Sequence, residues 1–130
     1  MKFTDGLWLI REGFELIPGV HDFRSYQENG KLKVLVAPRD ISHRAMQLDT
    51  PILTVEFSSV LKDTISVKVY HHAGVLDRGP EFTIYEQETE VEISETDTEI
   101  TFTSGKMSAV IQKTGGWQVD YYYDGKRITG

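Results

Sequence analysis

The chain contains no cysteine among its 130 residues. Disulfide frameworks, thiolate nucleophiles and Cys-ligated zinc are therefore excluded, and thiol usage carries no information about redox compartment. Alanine is scarce: four residues, against twelve Thr, eleven Val and ten Ile. That balance moves intrinsic preference away from helix and toward strand. No apolar run approaches the ~20 residues a membrane-spanning helix needs. The opening Met1-Lys2-Phe3-Thr4-Asp5-Gly6 lacks the apolar stretch of a secretion signal. Positive charge is the minority sign, with 14 Lys and Arg against 20 Asp and Glu and a net charge of −6. Such a surface repels phosphate, which argues against nucleic acid or an anionic membrane as partner. The length suits one domain with its own core, and 39% hydrophobic with 26% charged residues suits a globular one. The expectation is a single, cytoplasmic, β-rich domain over residues 1–130.

Turn signals recur at short intervals, with two-fold alternation between them. Asn29-Gly30 and Asp124-Gly125 are strong hairpin signals, because a type I′ turn needs positive φ at both central positions. Val20 to Gln27 and Lys31 to Ala37 flank the first of them. Trp117 to Tyr123 precedes the second. Ser104-Gly105 and Gly115-Gly116 mark two further reversals around a strand from Lys106 to Lys113. From Ile84 to Thr103 the alternation predicts a hairpin, with Val91, Ile93, Ile100 and Phe102 inward, Glu90 and Glu92 outward, and a turn at Glu95-Thr96-Asp97. No Lys or Arg lies between Arg78 and Lys106, so this hairpin is acidic, read as a solvated face that discourages edge pairing. Ile52 to Ser58, Thr64 to His71 and the apolar Leu7 to Ile10 complete about ten strands. The sum predicts an all-β, antiparallel fold, at the strand spacing typical of sandwiches and barrels. The segment from Ala37 to Pro51 has no clean period and is bracketed by Pro38 and Pro51; it is read as a crossover between sheets, with a binding loop as the alternative.

Candidate chemistry is sparse. His71 and His72 fall at the end of a predicted strand, where neighbours face opposite ways, so they do not share one metal, and one is expected to pack inside. No H-x-H or H-E-x-x-H spacing occurs, and no metal or cofactor is expected. The nucleophile elbow and both glycine-rich phosphate motifs are absent, and no carboxylate pair is singled out by spacing. Asp77-Arg78-Gly79-Pro80 reads as a loop fixed by charge-assisted hydrogen bonding. Trp117 and Tyr121 alternate toward one face and are assigned to core packing. Trp8, Trp117 and Tyr122 are nonetheless the aromatic platform a sugar ring would need if the domain bound carbohydrate by itself.

Three segments carry a resemblance: Met1 to Leu9, His71-His72-Ala73-Gly74-Val75-Leu76-Asp77-Arg78-Gly79-Pro80, and Gly116-Trp117 through Asp124-Gly125-Lys126-Arg127-Ile128-Thr129. Arg44 to Pro51 with Leu53-Thr54-Val55 adds a fourth, departing at Ala45-Met46-Gln47. Together they resemble the N-terminal domain of bacterial α-xylosidases of glycoside hydrolase family 31. The resemblance implies a galactose-mutarotase-like sandwich, incomplete at the C-terminal side, that braces a catalytic (β/α)₈ barrel acting on an α-xyloside or α-glucoside. A barrel takes ~250 residues, so the catalytic aspartates belong to sequence outside this chain. No residue here is given a catalytic role, and the chain is not expected to be active alone. His71, His72, Asp77, Arg78 and Arg44 are the candidates for the substrate rim or the interdomain contact. An isolated piece of this kind is expected to self-associate through its exposed docking surface. The alternative is an autonomous carbohydrate-binding module built on Trp8, Trp117 and Tyr122.

Overall fold

Two-residue turns set the strand boundaries. A computed structural model describes residues 12–72 and 89–130. Asn29 (φ 51°) and Gly30 (φ 71°) join β1 (His21–Glu28) to β2 (Lys31–Ala37), and Asp124 (φ 50°) and Gly125 (φ 76°) join β8 (Gln118–Tyr123) to β9 (Lys126–Thr129). Gly105, at φ 57°, opens the turn between β6 (Glu99–Ser104) and β7 (Met107–Gln112). The remaining strands are β3 (Leu53–Ser58), β4 (Ser66–Tyr70) and β5 (Val91–Glu95). They form two antiparallel meanders, one of order β1-β2-β3-β4 and one of order β5-β6-β7-β8-β9.

Period-two alternation decides which side chains meet between the sheets. The first sheet contributes Leu32, Val34, Val36, Val55 and Phe57, the second Ile100, Phe102, Ala109 and Ile111. Phe57 and Phe102 meet at the centre with ring centroids 6.4 Å apart and planes inclined by 36°, a favourable tilted contact. The expected all-β, antiparallel sandwich is borne out. So is the described part of the 84–103 hairpin: β5 pairs with β6, Val91 and Ile93 pack against the core while Glu90 and Glu92 are exposed, and positions 84–88 lie outside the described residues.

Polar ties fix the sheets to each other at two ends. At one end the Ser59 and buried Ser104 hydroxyls lie 2.8 Å apart, and the Lys106 N–H donates to the Asp63 carboxylate at 2.6 Å. At the other, the Trp117 N–H donates to the Val20 carbonyl at 2.7 Å.

Two expectations need correction. The 37–51 segment is not a crossover between sheets: β2 and β3 are direct antiparallel neighbours, with Val36 opposite Leu53. The loop leaves and re-enters one sheet, carrying a single 3₁₀ turn at Arg44–Gln47. The second correction concerns the histidines. β4 ends at Tyr70, so His71 and His72 follow the strand and both are exposed; neither packs in the interior. The predicted strand at Leu7 to Ile10 lies outside the described residues.

Candidate functional site

The inward face of the first sheet continues onto β4, where Val67 and Val69 stand directly opposite Phe57 and Val55. Their environments differ sharply. Val55 and Phe57 are 5% and 0% exposed, whereas Val69 and Val67 are 61% and 39% exposed. The two sheets diverge here and leave a cleft of about 460 Å³. Val67 and Val69 form one wall; Trp117, Val119 and Tyr121 of β8 form the other. Burial pushes the Tyr121 hydroxyl above the ordinary tyrosine range. The edge strand β4 borders the opening, and Gly130, just past the edge strand β9, lines it from the other sheet.

Behind β8, on the outer face of the second sheet, sits a carboxylate cluster. Asp120 is buried; Oδ1 accepts from Arg127 Nε at 2.8 Å and Oδ2 accepts from Gln118 Nε2 at 2.8 Å. These donors, Arg127 first, hold the Asp120 carboxyl below the usual carboxylate range. A β-carbon at Gly130 would run into this carboxylate and into the guanidinium, so the cluster fixes the path of the last residue. On the first sheet, buried Glu56 is held between Lys31 (3.1 Å) and Lys33 (3.7 Å).

A second cleft, of about 390 Å³, lies where the 37–51 loop meets the extended segment before β1. Buried Thr50 accepts from Arg39 Nε at 2.9 Å and Nη2 at 2.6 Å, and Nη2 also donates to Asp49 at 2.5 Å. Pro18, Pro38 and Pro51 line the same space. The clamp ties together the two ends of the fifteen-residue connection between β2 and β3, positions 38 to 52.

The predicted site residues fall in separate places. Trp117 packs against the core and lines the β4–β8 cleft, consistent with its assignment to packing, while Tyr122 is half-buried on the opposite face of the same strand. Arg44 is exposed on the 3₁₀ turn. His71 and His72 are exposed just past β4. Trp8, Asp77 and Arg78 lie outside the described residues. Among the described residues, no three His, Asp or Glu side chains gather as metal ligands, and no helix is long and apolar enough to cross a membrane.

Sequence reading missed three features: the Arg39–Asp49–Thr50 clamp, the Asp120–Arg127 pair and the open cleft. The first had a faint signal, an Arg and an Asp placed just inside the bracketing prolines. The second follows once the Asp124-Gly125 turn sets Arg127 opposite Tyr122, two positions from Asp120 along the strand and so on the same face. The third had none, because alternation is identical on β3 and β4.

No family model matches the chain. It is 29% identical over 130 residues to the α-xylosidase XylQ of Lactiplantibacillus pentosus, an alignment covering 99% of this chain and 17% of that enzyme. Against an α-xylosidase of Emericella nidulans it is 35% identical over 112 residues, covering 82% of this chain and 13% of the relative. The chain thus spans less than a fifth of the length of the curated relatives it matches. The resemblance read from the sequence is borne out: along nearly its whole length, this β-sandwich chain is similar to one segment of the α-xylosidases.

Proposed function

We propose that residues 1–130 form a single non-catalytic β-sandwich domain of a longer α-xylosidase-like glycoside hydrolase. In this reading the sandwich is the N-terminal, galactose-mutarotase-like domain of a family 31 enzyme. It braces the catalytic barrel, and His71, His72, Asp77, Arg78 and Arg44 supply rim or interdomain contacts. The observation that carries the proposal is the asymmetry of coverage: 99% of this chain aligns with only 17% of an α-xylosidase. A hydrolase whose remaining length is several times greater has ample room for a barrel of ~250 residues. The substrate class proposed for the whole enzyme is α-xylosides, which the relatives' names support, or the related α-glucosides.

A second reading, an autonomous carbohydrate-binding module, draws on the cleft wall formed by Trp117 and Tyr121. Sugar rings stack on such aromatic surfaces through their apolar faces. Titration of the purified chain with xylo-oligosaccharides, followed by tryptophan fluorescence, separates the two. The bracing role predicts no saturable change. A saturating shift removed by Trp117→Ala, in a variant that keeps its fold by circular dichroism, favours the module and overturns the bracing-only role.

A further inference from the structure

We infer that the end of the sandwich formed by residues 14–18 and the 38–51 loop is the surface covered by the rest of the longer enzyme, with Leu16 and Leu48 as its apolar anchors. This inference rests on the domain reading above and names the docking face within it.

Leu48 is 90% exposed and Leu16 70% exposed. Large aliphatic side chains standing this far into solvent on one end of a domain mark a contact surface when they cluster. Leu16 has company: Phe14 is 71% and Ile17 44% exposed in the same segment, Leu16 and Ile17 line the second cleft, and Leu48 directly precedes its lining residue Asp49. Neither leucine belongs to the core between the sheets.

The backbone carrying them is held. Arg39 ties Asp49 and Thr50 together, and Thr50 is buried, so Leu48 projects from a loop fixed at its base. The three lining prolines stiffen the segments on either side. A contact presented in its final shape loses little conformational entropy on association. Charge points the same way. The Arg39 guanidinium is already paired with Asp49, so covering the cleft does not strand that cation away from water.

The occupant is the catalytic portion of the enzyme. The chain corresponds to 17% of XylQ, which leaves most of such an enzyme outside the sandwich and in need of a fixed seat on it. A stable seat buries about 800 Å² on each side, with a few apolar anchors at its centre. The lining mixes Leu16, Ile17 and three prolines with Glu15, Arg39 and Asp49, so the partner surface presents an aliphatic or aromatic side chain to the leucines and polar groups to the charged lining.

The test grafts residues 1–130 onto XylQ in place of its matching segment and measures hydrolysis of an aryl α-xyloside. Leu16→Glu and Leu48→Glu are compared with Leu61→Glu, an exposed leucine on the β3–β4 loop at the opposite end. The inference predicts an active graft that loses about tenfold or more of its activity or soluble yield with either of the first two changes. The control stays within about twofold. The same substitutions in the isolated chain leave its melting temperature unchanged; a large drop there assigns the leucines to the sandwich itself and overturns the inference. An active graft indifferent to both substitutions overturns the docking face while leaving the domain reading intact. A graft that is inactive from the outset overturns the domain reading, and the docking face with it.

Discussion

β3 and β4 are adjacent strands of one sheet, paired residue for residue, with aliphatic or aromatic side chains on the same inward face. On β3 those side chains are sealed against the second sheet; on β4 they look into an open cleft. The difference is not in the residues, since Val55 and Val69 are chemically identical partners. It lies in what stands across from them. Opposite β3 are Phe102 and its neighbours, whereas among the described residues it is the β8 wall with Trp117 and Tyr121 that faces β4 across the cleft. Burial in a sandwich is thus a property of the layer above, and a strand at the end of a sheet can keep a core-like face without having a core.

The sharpest way to break this comparison is to truncate matched partners. Phe57→Ala removes a fully buried ring from the centre and is expected to cost about 3–5 kcal/mol. Val67→Ala, directly opposite on β4, is expected to cost no more than about 0.5 kcal/mol, as for ordinary surface positions. Urea unfolding of both variants provides the numbers; equal costs would mean that the cleft is filled in solution.

Next in size is Gly105→Ala. Position 105 needs positive φ, and an added β-carbon would strike the Asp63 carboxylate that accepts from Lys106. The expected loss is about 1–2 kcal/mol. The same substitution at Gly125, also at positive φ but with open space around its β-carbon position, is expected to cost less. The difference between the two, measured by thermal melts, isolates the polar tie between the sheets from the strain of the turn.

The smallest effect is a pH dependence. Asp120 ionises more readily in the folded chain because Arg127 and Gln118 donate to it. Its contribution is in force above the ordinary carboxylate range and drains away as pH falls through and below it. Asp120→Asn is therefore expected to lower stability at neutral pH and to narrow its gap from the parent chain as the solution is acidified. Melting temperatures of both proteins between pH 7 and the acid limb check the sign; a gap that stays constant contradicts it.

How much of this was readable beforehand follows from the same contrast. The Asn29-Gly30 and Asp124-Gly125 turns, the β2 limits and the alternation of β5 and β6 are local, so sequence spacing was enough to identify them. The pairing of β2 with β3 across the 37–51 loop was not, because Pro38 and Pro51 announce a break without saying where the chain returns. The return is enforced by the Arg39 clamp, which joins residues ten and eleven positions apart. The exposure of His71 and His72 was misjudged for a related reason: β4 stops at Tyr70, and alternation cannot be carried past the last paired residue. Of the candidate site, Trp117 was identified as a packing residue, but the cleft beside it depends on how the two sheets diverge. No single strand encodes that.

In the proposed reading, this sandwich supports glycoside-cleaving machinery located in other sequence. The most direct test of that reading is an assay of the purified 130-residue chain against an aryl α-xyloside, with every exposed carboxylate available to act. The account predicts no turnover above background. Steady hydrolysis that disappears on substituting a single aspartate or glutamate by its amide would contradict it.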